Sequence, residues 1–482
     1  MLLPSGAGAH AFGERYDLPV PLWLFLAGAG AAVALSFVAL AIAFRADTAP
    51  GRTPHLELHG CFETAPARWL TRLLRLLSVL VFGFLCYAGL FGSQVPTHNI
   101  VPTFLWVGLW VGMAYIVALA GNIWPAINPY GAMFDWIRHA LKAFSASSRR
   151  YAHRTYPGGL GAWPAVIGLL AIAWLELVPE GGEQPAGLAS GLMAYGVYCL
   201  AGMAIFGRIW LERADVLTVA FGVLGRFAPV GVDASRSCTG GHRRWVLRWP
   251  GAGLLRTEPV SASMTVFVLV MLSNVTFDGF LETPLWNRLL DVIATSQTLR
   301  PLLLSLQSEG VNLLGAIKSL GLILFPIIFL ASYLAFCFLM SVASGGAAGS
   351  WSMARWFVLT LVPIAIAYHL AHYASFFALA GQLLVPLASD PLGRGWNLFG
   401  TANVHVDPGV ISAKFVWYTA VVTIVAGHVI AVVLAHIQAH AVIKDARAAL
   451  KSQLPLLVLM VAYTTLSLWI LSQPVVETSA IG

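Results

Sequence analysis

The segment YHLAHYASFF, Tyr368 to Phe377, sets two histidines three residues apart inside a long apolar run. On a helix such i,i+3 neighbours lie roughly 60° apart and can face one cavity. A third imidazole, His428, and a fourth, His436, follow in another apolar run. Imidazole binds metals in its neutral form and exchanges protons near neutral pH. Three imidazoles with one open position are the ligand set that catalytic zinc uses, so His369, His372 and His428 are the candidate metal ligands. Copper is the other divalent ion that suits imidazole. Asp278 and Glu282, i,i+4 neighbours, are the candidate catalytic carboxylates: they can act as general base, add an oxygen ligand or orient an imidazole. A single haem between His369 or His372 and His428 also fits the pattern, whereas two stacked haems would need histidine pairs at well-separated depths. The plainer reading is structural, with the imidazoles hydrogen-bonded to Tyr368, Tyr373, Ser375 or Tyr418.

The elements that must position these residues are set by composition. Of 482 residues, 58% are hydrophobic and 10% charged, and the mean hydropathy is +0.78. A soluble domain carries about 25% charged residues. The chain therefore reads as an all-α, polytopic transmembrane helical bundle with ten spans, about 20–44, 69–92, 101–121, 163–179, 188–207, 260–281, 311–340, 356–385, 412–440 and 454–472. Each is close to the roughly 20 residues that cross the hydrocarbon core. Pro326 and Pro363 are expected kink points.

Lys and Arg favour the cytoplasmic loops. With both termini outside, all but six of the 28 basic residues fall on the inner side, the six being Arg15, Arg288, Arg300, Arg394, Lys318 and Lys414. The net charge of +7 thus follows the membrane orientation, and no basic cluster with interleaved aromatics points to nucleic acid. This topology runs span 8 outward with its centre near residue 370 and span 9 inward with its centre near 427. It predicts His369, His372 and His428 at a common depth, with His436 about 12 Å nearer the cytoplasm at 1.5 Å per residue. Glu176 and Lys318 are further ionisable groups in or near spans, and such groups are costly in lipid unless paired or hydrated.

The chain divides into an N-terminal bundle, 1–258, and a C-terminal bundle, 259–482, which carries the histidines. The first contains an internal echo: G-x-I-W recurs at Gly121–Trp124 and Gly207–Trp210, each after an apolar span. Duplicated units ending in bent or re-entrant segments are a feature of repeat-built transporters. NPYG, Asn128 to Gly131, reads as a helix-ending turn. Residues 208–258, rich in Arg and Trp, suit an amphipathic segment on the anionic cytoplasmic leaflet. Asn274, Thr276 and Asp278 are expected to line an outward cavity, with Gly279 and Pro284 ending that helix. His55, His59 and Cys61, and separately Cys238 and His242, form only weak metal patterns, and the five scattered cysteines give no disulfide framework. Cleavage after Ala9 would expose His10 at a terminus able to chelate copper. The chain has no Walker A, no G-x-G-x-x-G opening a helix, no H-E-x-x-H and no G-x-S-x-G.

The stretches YDLPVPLWL, TFDGFLETPLW, YHLAHY, GHVIAVVLAH and LWILSQP together resemble a family of bacterial polytopic membrane proteins known as fenitrothion hydrolase-like. The resemblance implies a multi-pass protein of the bacterial inner membrane that hydrolyses an aryl phosphorothioate ester, an organophosphate. A lipophilic small-molecule substrate would enter from lipid. A Lewis-acid metal on His369, His372 and His428 and a base at Asp278 or Glu282 would meet the demands of that reaction. Two other classes fit the same residues: a proton- or cation-coupled transporter or channel-like protein, and a membrane redox subunit holding haem or copper.

Overall fold

The computed structural model describes residues 16–43, 55–57, 65–144, 154–179, 181–233, 244–473 and 476–477. His10, His59, Cys61, Cys238 and His242 lie outside these described residues. Among the described residues, ten helical spans are long and apolar enough to cross a membrane. They are α1 (Leu22–Ala43), α2 (Ala65–Phe91), α3 (Ile100–Leu119), α4 (Gly158–Leu177) and α5 (Pro185–Phe206). The second five are α6 (Ala262–Leu281), α7 (Leu313–Ala343), α8 (Ser350–Ser389), α9 (Ala413–Val442) and α10 (Ala446–Ser472). The chain is an integral membrane protein with an all-α, polytopic bundle fold. Large apolar side chains such as Leu35, Ile167, Val197, Ile328 and Val422 are exposed on its outer faces, where lipid rather than water is their solvent.

Short strands tie the ends of the spans together. Strand β1 (Tyr16–Asp17) pairs in parallel with the last strand, so both chain ends lie on one face, as an even number of crossings requires. On the opposite face, β2 (His55–Glu57), which follows α1, and β3 (Val230–Asp233), which follows α5, both pair antiparallel with β4 (Arg244–Arg248). The last strand is β5 (Val476–Glu477). These pairings place the basic loops after α1 and α5 on a common side.

Two glycines in left-handed backbone conformations end α3 and α5: Gly121 at φ 155° and Gly207 at φ 74°. These are the first residues of the two G-x-I-W copies. Each is followed by a short helix, Trp124–Ile127 or Ile209–Arg213, and then a longer one, Pro129–Phe144 or Val216–Leu224. Asn128 and Asp215, immediately before the longer helices, bond each other, Asn128 Nδ2 donating to Asp215 Oδ2 at 3.2 Å. Both side chains are buried. Tyr195 and Thr218 hydroxyls also donate to Asp215, which is how a buried carboxylate is tolerated away from water.

Span α8 is the most enclosed of the ten spans. In its apolar window 83% of residues are buried, against 17% in α7, so its polar side chains face protein rather than lipid. It is interrupted by a 3-10 turn, Val358–Leu361, and Pro363 sits at the start of the helix that follows, Val362–Ala380. Pro326 instead lies inside α7, which continues through it. Span α9 approaches α8 closely because Gly427 has no side chain: a Cβ there would lie 2.4 Å from Ala367 Cβ and 2.8 Å from the Pro363 carbonyl oxygen. Between α6 and α7 the chain forms two further helices, Pro284–Thr295 and Arg300–Ser308. Their exposed Leu285, Leu289, Val292 and Leu302 suit helices lying at a membrane surface. Pro284 opens the first of them, a favoured place for proline, rather than merely closing α6.

Candidate functional site

The histidines of α8 meet the carboxylates at the ends of two neighbouring helices. Asp278 is on the last turn of α6 and Glu176 is the penultimate residue of α4. His372 Nε2 donates to Asp278 Oδ2 at 2.8 Å. The Tyr373 hydroxyl donates to the same oxygen at 2.7 Å and stands 3.5 Å from Glu176 Oε1. His372 is buried and Asp278 is 19% exposed, so the pair joins a dry imidazole to a carboxylate that still reaches the outside. With the carboxylate as acceptor, Nε2 carries the proton.

Close packing fixes this arrangement. Gly279, beside Asp278, lets α8 approach: a Cβ at that position would lie 2.6 Å from Tyr368 Oη and 3.6 Å from His372 Cε1. The Tyr373 ring lies edge-on to both His369 and His372, with centroids 4.8 and 4.7 Å apart. His369 in turn meets the edge of Tyr115 from α3. That helix is wound as a π-helix over Phe104–Gly112, a distortion that often accompanies functional sites. Trp110 within it brings its indole beside the Tyr373 hydroxyl without completing a hydrogen bond.

Several buried polar atoms around this network have no hydrogen-bond partner. They are Trp110 Nε1, His369 Nε2, Tyr368 Oη and both amide atoms of Asn274. Asn274 lies one turn before Asp278 on the same face of α6, and its side chain is more than nine-tenths buried. Leaving such a group unsatisfied costs about 1–3 kcal/mol. Several orphaned donors and acceptors around one imidazole–carboxylate pair are what a site for water, protons or a polar ligand presents.

Glu282, one turn beyond Asp278, lies outside the span and is exposed. The packed helix ends around it, and then the Asp278 charge, push its carboxyl up from the usual range, while His372 and Lys318 oppose this. Lys318 on α7 donates from Nζ to the Leu177 carbonyl at 3.1 Å. Its charge therefore sits at the C-terminal end of α4, where the helix dipole favours a cation, and next to the acidic cluster.

His428 is not drawn into this group. Its Nδ1 bonds the Ile424 carbonyl at 2.8 Å. The ring contacts from it to His372 run through Tyr463 and Tyr368. Gly427 packs on Pro363 and Ala367, so His428 stands one to two turns of α8 before His372. The separation from His372 follows from where α9 packs on α8, against Pro363 and Ala367 in the first turns of the helix Val362–Ala380. Among the described residues, no three His, Cys, Asp or Glu side chains are gathered as a metal ion requires. His436 is held separately, its Nδ1 2.9 Å from Gln453 Oε1.

Charge topology and helical spacing single out His369, His372, Asp278, Glu282, Glu176 and Lys318, and the expected pairing of a carboxylate with an imidazole is formed by Asp278 and His372. Tyr373, expected to bond an imidazole, bonds the Asp278 carboxylate instead, and Trp110 is a member of the network that the sequence does not mark. The adjacency of Tyr373 to His372 was the available signal for the first, and none existed for the second. Comparison with protein families, with curated protein sequences and with solved structures finds no match to this chain.

Proposed function

We propose that this membrane protein handles protons at the His372–Asp278–Tyr373–Glu176 network, as the coupling site of a proton- or cation-coupled transporter or channel-like protein. The observation that carries the reading is a histidine–carboxylate pair inside a helical bundle, joined by one hydroxyl to a second carboxylate and ringed by unpartnered polar atoms. Intramembrane ionisable groups of this kind mark proton relays and ion paths. His372 accepts a proton on its second nitrogen and Asp278 stabilises the imidazolium. The Tyr373 hydroxyl can pass a proton between Asp278 and Glu176, giving up its own to one and receiving another from the other. Asp278, still partly exposed, is the point of exchange with the outside, and Lys318 offsets the negative charge of the two carboxylates.

The second reading is hydrolysis of an organophosphate ester, with a metal such as zinc held by His369 and His372. It is supported by the Asp278–His372 pair, since a carboxylate that orients an imidazole is a common general-base arrangement. Parallel assays on one purified preparation separate the two. Proteoliposomes containing a pH-sensitive dye report proton flux under an imposed potential, and release of a nitrophenol from an aryl phosphorothioate, with and without added zinc, reports hydrolysis. Flux above that of empty vesicles without ester turnover supports the proton reading. Ester turnover lost in Asp278→Asn, without flux, overturns it in favour of the hydrolase.

A further inference from the structure

His428 takes no direct part in the histidine network, yet it is fully enclosed by protein. Its Nδ1 is bonded to the Ile424 carbonyl of its own helix, so Nδ1 carries the proton and Nε2 carries the lone pair. Nε2 is buried and has no hydrogen-bond partner among the described residues. The ring stands beside Tyr463 of α10, with centroids 5.9 Å apart.

Two more orphaned oxygens gather at one stretch of α6. Thr276 Oγ1 donates to the Leu272 carbonyl at 2.9 Å, so the Tyr463 hydroxyl, 2.5 Å away, is the donor to Thr276. Three residues along, on the same helix face, Gly279 stands against Tyr368 Oη and Ile470 Cγ2, which a Cβ there would approach to 2.6 and 2.8 Å. The two phenol oxygens therefore meet neighbouring turns of α6, and their rings stack with centroids 6.5 Å apart. Tyr463, Ser467 and Ile470 fall on one face of α10 at i, i+4 and i+7. Since Tyr463 reaches Thr276 and Ile470 reaches Gly279, Ser467 between them faces the same stretch. Tyr368 and Ser467 are fully buried, and neither hydroxyl has a hydrogen-bond partner among the described residues. The outer end of this seam adjoins the histidine network, because the same Cβ position on Gly279 lies 3.6 Å from His372 Cε1.

Burying two hydroxyls and an imidazole nitrogen without partners is costly, and apolar side chains of similar shape would fill the seam without that cost. Water is the ligand that suits it, since one molecule both donates and accepts and bridges groups too far apart to bond directly. We propose, resting on the proton reading of the histidine network, that water held by the Tyr368, Tyr463 and Ser467 hydroxyls carries protons between His372 and His428. Each hydroxyl and water passes on one proton as it receives one. A proton leaving the His372 imidazolium is thereby matched by one arriving at His428 Nε2. His428, one to two turns of α8 further from the outer face, is the inner station of the path.

The test measures proton flux into proteoliposomes for the full-length wild type, His372→Asn, His428→Asn, Tyr368→Phe and Ser467→Ala at equal folded incorporation, with thermal unfolding of each in detergent. His428→Asn is expected to lower flux at least about tenfold. Tyr368→Phe and Ser467→Ala, which each remove a single oxygen, are expected to lower it several-fold with Tm equal to or below that of the wild type, because the lost hydroxyl had held water. If His428→Asn does not fold, these two variants decide the matter. Flux lost in His372→Asn but kept in full by the seam variants overturns the inward path and leaves the His372–Asp278 reading standing. Absence of wild-type flux overturns both. A higher Tm in both Tyr368→Phe and Ser467→Ala would show that the hydroxyls are buried dry, and it too overturns the proposal.

Discussion

His372 Nε2 lies 2.8 Å from Asp278 Oδ2, joining the enclosed span α8 to the last turn of α6. The contact ties a buried imidazole to a carboxylate near the membrane surface. It also sets the depth of the histidine pair, since Asp278 and Glu176 both stand at helix ends.

Tyr373 is the bridge between the two carboxylates. Tyr373→Phe keeps the ring packed against His369 and His372 but removes the hydroxyl bonded to Asp278. Loss of a hydrogen bond to a charged group costs about 1.5–3 kcal/mol, which thermal unfolding in detergent would register as a lower Tm. Proton flux in proteoliposomes is expected to fall with it, while Phe376→Leu, which removes no polar group, retains flux.

Gly427 marks the tightest approach of α8 and α9. The atoms that a Cβ would meet, Ala367 Cβ and the Pro363 carbonyl oxygen, belong to a short side chain and the backbone, so neither can turn aside. Gly427→Ala is expected to destabilise the protein by about 1–3 kcal/mol. A Tm equal to that of the wild type would show that the two helices do not pack this closely.

Asp215 supplies a prediction in pH. Burial raises its carboxyl above the ordinary value, although Thr218 and Tyr195 pull the other way. The folded state therefore holds this proton more tightly than the unfolded chain, so its contribution to stability is complete below about pH 4 and is lost as pH rises through the raised folded value. Asp215→Asn is expected to flatten the fall in stability over that interval, followed by denaturant unfolding at a series of pH values. An unchanged profile would contradict the assignment.

The membrane bundle was legible from hydropathy, because the need to satisfy backbone hydrogen bonds in lipid leaves few alternatives. The ten spans and the shared face of the two chain ends follow from apolar length and basic residues alone. The glycines of the repeated G-x-I-W were also legible as helix ends, and the structure adds that Asn128 and Asp215 bond across the two copies. The site was legible only in part. Helical spacing puts His369 and His372 on one helix, but not which turns of that helix face α9. His428 stands apart from them because the glycine contact that brings α9 against α8 falls at Pro363 and Ala367. The π-helical winding that brings Trp110 beside Tyr373 depends on tertiary packing and has no local sequence signal.

The most direct test of the proton account is flux into proteoliposomes containing the wild type, His372→Asn or Asp278→Asn, driven by a potassium diffusion potential and read with an entrapped pH dye. The account predicts flux by the wild type well above empty vesicles, reduced at least about tenfold in both variants at equal folded incorporation. Wild-type flux indistinguishable from empty vesicles, or full flux in both variants, would contradict it.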